Sequence, residues 1–171
     1  IPSTVGGYQT VHVGDHAFSN NPYLNSVIIP YNVTTIGSWA FGSNPSLTSI
    51  TIPDSVTTIG DSAFKGTSLT SITIPSSVTS LADRMFNTCS SLTAINVDAA
   101  NVNYASVDGV LYNKALTTLI TCPARTTGTF TIPSSITIIG SGAFDSCTSL
   151  TTIIIPDSVT IIDGNAFYYC T

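Results

Sequence analysis

Apolar residues recur along the chain in one repeated order. The clearest unit covers residues 47–64 and reads Leu-x-x-Ile-x-Ile-Pro, then Val-x-x-Ile-Gly, then Ala-Phe. A phenylalanine ends each unit, and the spacings of these residues are 23, 23, 22, 58 and 23 for Phe18, Phe41, Phe64, Phe86, Phe144 and Phe167. The prolines of the Ile-Pro turns repeat this series, so two independent markers give one period.

Each unit predicts two short extended segments and a tight turn. Ile50 and Ile52 are spaced by two, as in a strand whose alternate side chains face a core, and Pro53 then removes a hydrogen-bond donor and ends the strand. Val-x-x-Ile-Gly forms a second inward-facing stretch. Asp or Ser stands two residues before the Ala-Phe or Met-Phe pair, where the N-cap of a single helical turn is expected, at Asp15, Ser38, Asp61, Asp83 and Ser141.

A unit of this size cannot bury its own apolar side chains, whereas stacked units can. The sequence therefore predicts a β-rich solenoid with short strands and single helical turns, forming one domain over residues 1–171. Its irregular first repeat is 1–23, regular repeats follow over 24–97, an irregular hairpin coil occupies 98–129, and regular repeats resume over 130–171. We expect the chain to be a fragment of a longer array, because it begins inside a unit at Ile1-Pro2 and ends just after an Ala-Phe pair.

Two irregular segments interrupt the repeat. About five extra residues around Gly6-Gly7-Tyr8-Gln9 predict a small excursion from the first coil. The segment between Val97 and Phe130 predicts two strands joined at Asn113-Lys114, a hairpin that occupies one coil of the stack.

Composition excludes several functional classes. The chain is 43% hydrophobic and 8% charged, with a net charge of -5, and it has 27 Thr, 23 Ser and 20 Ile but no Glu. This composition disfavours helices, and a mean hydropathy of +0.38 disfavours disorder. Four Lys and Arg residues are too few for a nucleic-acid surface. No apolar run predicts membrane insertion, and no signal peptide opens the sequence as given.

The repeat motif, with Cys three residues after Phe and the interposed Asp108-Gly109-Val110-Leu111-Tyr112, resembles the BspA-like class of leucine-rich-repeat proteins. The resemblance covers essentially the whole chain and implies a leucine-rich-repeat solenoid. It further implies a surface-exposed or secreted protein of an anaerobic bacterium or parasitic protist, in a class that includes adhesins for host matrix proteins or other cells. It names neither a ligand nor a site in this chain.

The cysteines favour a structural role. Cys89, Cys147 and Cys170 occupy one repeat position that holds Asn21 and Asn44 in the first two repeats, which indicates a small polar group near the turn backbone. No metal-ligand spacing is present. We expect free, largely buried thiols, although neighbouring coils would also allow a bridge between Cys147 and Cys170.

Catalysis has little support in the sequence. His16 stands in a variable slot that also holds Trp39, Ser62, Arg84, Gly142 and Asn165, so we expect this slot to face solvent. His12 takes the outward place of a strand. Neither histidine belongs to a catalytic motif, and Asp145, Asp157 and Asp163 fall at turns. We expect no enzyme activity, no cofactor and no metal site.

Alternation along the main strand predicts an outer face rich in hydroxyl groups. The candidate binding residues are Ser49, Thr51, Ser71, Thr73, Asn96, Thr129, Thr131 and Thr152, on a face that Ser26, Ile28, Ala94 and Ile154 complete. Solenoids present such faces to extended partners. The alternative is that Ser and Thr only keep a β surface soluble, since Thr favours strands.

Trp39 is a further candidate contact residue, because exposed aromatic residues are common at interaction hot spots; partial packing onto the neighbouring turn is the alternative. The leading prediction is an extracellular or cell-surface module that binds a protein or glycan on a host or neighbouring cell. The rival is a structural spacer in a larger surface protein. We also expect an apolar end surface to allow end-to-end self-association.

Overall fold

A computed structural model describes residues 1–170, which wind into a stack of coils. Coil 1 precedes Leu24, and later coils start at Leu24, Leu47, Leu69, Leu92, Gly128 and Leu150. The strands are β1 (Thr4–Val5), β2 (Tyr8–Gln9), β3 (His12–Val13), β4 (Thr35–Ile36), β5 (Thr58–Ile59), β6 (Ser71–Ile74), β7 (Ser80–Leu81), β8 (Ala94–Val97), β9 (Tyr104–Val107), β10 (Val110–Asn113), β11 (Thr118–Thr121), β12 (Gly128–Thr131), β13 (Ile138–Ile139), β14 (Leu150–Ile154) and β15 (Ile161–Ile162). The predicted β-rich solenoid is confirmed.

Parallel strands form two sides of the stack. On the first side, β6 pairs with β8 and β12 with β14, and the segments 26–29 and 49–52 occupy the same repeat position in coils 2 and 3. On the second side, β3, β4, β5 and β7 form one parallel sheet, and β11, β13 and β15 continue the series beyond the insert. We call the solvent-facing surface of the first side the sheet face.

The core is a column of equivalent side chains. Phe41 and Phe64 are fully buried, and their rings stack with centroids 5.9 Å apart and an interplanar angle of 5°. The column breaks at the insert and resumes at Phe144, which stacks on Phe167 at 5.3 Å. Burying an aromatic side chain removes a large apolar area from water, so the column is a main source of cohesion between coils.

The third side of each coil is a turn without helix. The single helical turns predicted after Asp15 and its equivalents are not present in residues 1–170. Two residues per turn adopt positive φ, for example Trp39 at 55° and Ser43 at 57°, and a left-handed residue interrupts the consecutive right-handed conformations that a helix needs. Asp15 therefore does not cap a helix. Its carboxylate accepts a 2.7 Å hydrogen bond from the backbone N–H of Ser38 in the next coil.

Alternate N–H groups of the turn point along the stack instead. Phe18 donates to the carbonyl of Ala40 at 2.8 Å, and Phe41 donates to Ala63 at 2.9 Å. We call this series of bonds the turn ladder. Because the donors of one turn share a direction, each turn bonds directly to the turn of the coil that follows.

Two segments depart from the regular coil. The excursion in coil 1 is the hairpin β1–β2, with its turn at Gly6 and Gly7. The insert in coil 5 has three antiparallel strands rather than two. Besides the predicted connection after Asn113, Asp108 and Gly109 join β9 to β10 with φ values of 50° and 77°. Two positive φ angles define the type I′ turn that suits a tight hairpin.

Candidate binding face

The predicted outer residues all lie exposed on the sheet face. They are Ser49, Thr51, Ser71, Thr73, Asn96, Thr129, Thr131 and Thr152. Strand pairing places them in rows across the stack, since Thr73 is in register with Asn96, and Thr129 is in register with Thr152. Ala94 departs from the predicted pattern because it is half-buried, under the hairpin turn whose Gly109 accepts a 2.8 Å hydrogen bond from Ile95.

Three shallow depressions follow the sheet face along the stack. The central one has a volume of about 310 Å³ and is lined by Ser49, Thr51, Ser71 and Thr73, with Asp54 and Asp98 also in its wall. The second, of about 320 Å³, shares Thr51 and adds the apolar side chains Val27, Ile28, Ile29, Tyr31 and Pro53. The third, of about 280 Å³, lies between the insert and coil 6 and includes Asp108 and Tyr112 of the insert and Thr131 of coil 6. Four of the predicted residues thus meet in one depression.

Trp39 belongs to the turn side of the solenoid and not to the sheet face. Its ring stacks on His16 with centroids 5.9 Å apart, and the ammonium of Lys65 lies 4.8 Å from a Trp39 ring centroid. Trp39 is half-buried by these contacts. The expectation that its slot faces solvent is wrong for two members: Ser62 is 3% exposed and Gly142 is buried against Asn87. The residue in this slot has a positive φ, and its side chain lies next to the equivalent side chains of the neighbouring coils, which partly cover it.

The repeat position that holds Asn or Cys places a buried side chain within hydrogen-bond distance of the turn backbone. Asn44 is fully buried, and its amide donates to the carbonyls of Phe18 and Phe41 at 2.8 and 2.7 Å. The Cys89 thiol takes the same place and donates to the Phe64 carbonyl at 3.1 Å. Burial raises the pKa of Cys89 and favours the neutral, donating thiol. This geometry accords with the structural role expected of these cysteines, and all four cysteines are free thiols in the structure.

Hydroxyl groups also form hydrogen bonds between coils, a role that we did not predict from the sequence. Ser55 donates to the carbonyl of Val33 at 2.6 Å, and Ser77 donates to Val56 at 2.7 Å, in each case one coil back. Threonines make the same kind of bond on the second side, as Thr57 does to Thr34 at 3.2 Å. Much of the Ser and Thr content therefore forms inter-coil bonds away from the sheet face. The signal in the sequence is the recurrence of Ser just before Val at Ser55-Val56, Ser77-Val78 and Ser158-Val159.

Residues 1–170 contain no assembled metal site. No group of three or more His, Cys, Asp or Glu side chains in this part of the chain could hold a metal ion. His16 packs against Trp39, and His12 lies exposed on β3. Asp157 and Asp163 are exposed, whereas Asp145 is buried in the turn region. In the same residues, no helix is long and apolar enough to cross a membrane.

Comparison with known proteins identifies the family to which the repeat belongs. The model of the BspA type leucine rich repeat region matches residues 11–127 and 124–171, in six copies. The chain belongs to the BspA-type leucine-rich-repeat family. None of the curated proteins matches it.

Solved bacterial protein structures share this fold. A leucine-rich repeat protein from Eubacterium ventriosum is 30% identical, with a TM-score of 0.83 over 96% of this chain and 50% of its own. A leucine rich cell surface protein from Faecalibacterium prausnitzii is 37% identical, with a TM-score of 0.81 over 87% of this chain and 40% of its own. The pneumococcal vaccine antigen PcpA, at 24% identity and a TM-score of 0.68, shares the fold over 99% of this chain and 57% of its own. The chain thus spans half or less of the length of the first two proteins.

Proposed function

We propose that this chain is a non-catalytic interaction module of an extracellular or cell-surface protein, and that it binds a protein or glycan of a host or neighbouring cell through the sheet face. One observation carries the proposal: Ser49, Thr51, Ser71 and Thr73 are exposed side by side around a single depression. The floor of that depression is rigid, because the strands below it are anchored in the buried core.

The family supports the surface location. The related protein from Faecalibacterium prausnitzii is described as a cell surface protein, and the family match extends over nearly all of this chain. A surface array exposed to partners needs hydrogen-bonding groups, and the sheet face supplies them in a regular pattern.

A structural spacer is the second candidate. Stacked coils of this kind give a stiff element, and the hydroxyl bonds between coils would serve a stalk equally well. The two candidates differ in one measurable respect, since a spacer has no specific partner for the sheet face.

Binding to immobilised host matrix proteins and to a glycan array tests the proposal directly. The double variant Thr51→Lys, Thr73→Lys places two long cations over the central depression and is expected to abolish binding. Ser90→Lys is the matched control, because Ser90 is exposed but does not line the depression. Unchanged binding by the double variant, with the fold verified by circular dichroism, would reject the sheet face. A chain that binds none of these surfaces would favour the spacer.

The Trp39 region remains a second proposed contact. Trp39 with His16 and Lys65 forms an aromatic and cationic group on the turn side. Trp39→Ala in the same assay separates this region from the sheet face, and loss of binding in this variant alone would transfer the contact to the turn side.

We also propose end-to-end self-association. Ile162 is 52% exposed, whereas its equivalent one coil earlier, Ile139, is fully buried. Sedimentation velocity over a concentration series is expected to show a dimer that Ile162→Ser weakens. A monomer at every concentration would overturn this proposal.

A further inference from the structure

The charged residues that line the central depression of the sheet face are all acidic. They are Asp54 and Asp98, and both are exposed. Asp54 follows the strand position of coil 3, and Asp98 follows β8 in coil 5. Carboxylates, hydroxyls and the apolar residues Ile50, Ile52, Ile72 and Pro75 therefore surround a space large enough for one extended side chain, at the edge where the strands end.

The neighbouring depression is apolar. Ile28 and Tyr31, which line it, are 81% and 80% exposed, which is unusual for large apolar side chains in a chain with a well-filled core. Thr51 lines both depressions, so the apolar and the acidic spaces are continuous along the stack.

The Lys and Arg side chains of the described residues lie elsewhere, although the N-terminal ammonium of Ile1 donates a 3.1 Å hydrogen bond to the carbonyl of Ile28. Lys65 covers Trp39 on the turn side, and the Nε of Arg84 donates to Ser141 at 2.9 Å in the turn region. Lys114 follows β10, and Arg125 lies in the loop before β12. None of these four cations lines the three depressions. An incoming cation would meet two carboxylates with no competing positive side chain in the same wall.

From this arrangement we infer that coils 2–5 of the sheet face bind an extended peptide segment that carries an apolar or aromatic side chain followed by Lys or Arg. The inference rests on the proposed function and specifies the partner for the same face. Ile28 and Asp98 lie three coils apart, which is about 14 Å along the stack axis at a strand spacing of about 4.8 Å. An extended peptide advances about 3.4 Å per residue, so about four residues separate the two side chains.

A peptide fits this surface better than a neutral glycan. Neutral sugars can donate hydrogen bonds to carboxylates, but ammonium and guanidinium groups add the attraction of opposite net charges to such bonds. The apolar depression then receives the hydrophobic side chain of the same segment.

Fluorescence anisotropy with defined peptides tests the inference. The probe is a labelled Gly/Ser peptide that carries one Phe and, about four residues later, two Arg residues. We expect saturable binding to the whole chain, about tenfold weaker binding when both Arg are replaced by Gln, and a similar loss in the protein variant Asp54→Asn, Asp98→Asn. Raising the salt concentration should weaken binding of the Arg peptide and not of the Gln peptide.

Asp157→Asn is the matched control. Asp157 is exposed and occupies the same repeat position as Asp54, but it lies in coil 7, outside the depression. This variant should bind the Arg peptide as the parent does. Equal affinity for Arg and Gln peptides, or an equal loss in Asp157→Asn, would overturn the inference.

These experiments distinguish a failure of this inference from a failure of the proposed function. If the Thr51→Lys, Thr73→Lys variant loses binding to matrix proteins or glycans while the Asp54→Asn, Asp98→Asn variant keeps it, the sheet face is the binding surface but its partner is not a cationic segment. Binding of a neutral glycan that depends on Thr51 and Thr73 would likewise overturn the inference and leave the proposed function in place.

Discussion

The backbone N–H of Thr88 donates a 2.8 Å hydrogen bond to Oδ1 of Asp145, which lies 57 residues later in the sequence. The insert of coil 5 contributes no turn of the regular kind, so the turn of coil 4 meets the turn of coil 6 directly. At this junction the Asp145 carboxylate takes the place of a carbonyl of the turn ladder. Asp145 is 6% exposed, and its Oδ2 has no hydrogen-bond partner in the described residues.

Removing this carboxylate should loosen the junction. Asp145→Ala leaves the partly buried Thr88 N–H without this acceptor and is expected to lower the free energy of unfolding by about 1–3 kcal/mol in urea denaturation. Asp145→Asn retains an acceptor and removes the charge from the unpartnered Oδ2, so it should cost less. Asp157→Ala, at an exposed turn, is the control and should change stability by no more than about 0.5 kcal/mol. Equal losses for all three variants would show that the hydrogen bond is not the cause.

The phenylalanine column predicts a gradient of stability along the stack. Phe64 is fully buried between Phe41 and Phe86, whose rings lie 5.9 and 5.7 Å away. Phe64→Ala should lower the free energy of unfolding by about 3–5 kcal/mol. Phe18 is half-buried, so Phe18→Ala should cost clearly less in the same denaturation experiment. A larger cost at Phe18 would contradict the inter-coil origin of the stability.

The left-handed turn position predicts opposite effects in two neighbouring coils. Gly66 and Thr88 occupy the same place, with φ values of 67° and 57°. Gly66→Ala introduces a side chain that disfavours this conformation and should destabilise by about 1 kcal/mol, although the nearest atom to the new methyl, Oγ1 of Thr88, leaves room at 3.5 Å.

Thr88→Gly removes a β-branched residue from a left-handed position and should stabilise by a similar amount, about 1 kcal/mol. Thermal unfolding of both variants measures the two shifts. Two shifts of the same sign would contradict an origin in backbone conformation.

Tyr112 should make the folded chain less stable as the pH becomes alkaline. Burial raises the pKa of this phenol to about 12. The unfolded chain releases the proton at lower pH than the folded chain, so the stabilising effect is fully present below about pH 10 and is lost as the pH rises toward 12. Tyr112→Phe should flatten the fall in urea midpoint between these pH values. Tyr31→Phe, at an exposed site, should leave the fall unchanged.

The stacked coils and the sheet face could be predicted from the sequence because both depend on local periodicity. Alternation in Ile-x-Ile fixes which side chains point outward, and the shared position of Asn44 and Cys89 indicates a common polar contact. Both features repeat within one period, so a single unit contains the information.

The turn ladder could not be predicted in this way. Gly is the usual sequence signal for a residue with positive φ. This position instead holds His16, Trp39 and Arg84, so the sequence does not show that a positive φ is required there. The contact between Thr88 and Asp145 depends on how the insert folds, which no local pattern encodes. The turn at Asp108-Gly109 did carry a signal, since Asp-Gly favours type I′ hairpins, but the prediction placed the only turn at Asn113-Lys114.

The hydroxyl bonds between coils have a consequence for the environment in which the array works. Ser55, Ser77 and Thr57 join successive coils through neutral groups that neither titrate near neutral pH nor attract counterions. Cohesion built in this way is little affected by acidification or by changes in ionic strength, both of which weaken arrays that depend on ion pairs. These hydroxyl bonds therefore persist while the pH and salt content of the surrounding fluid change.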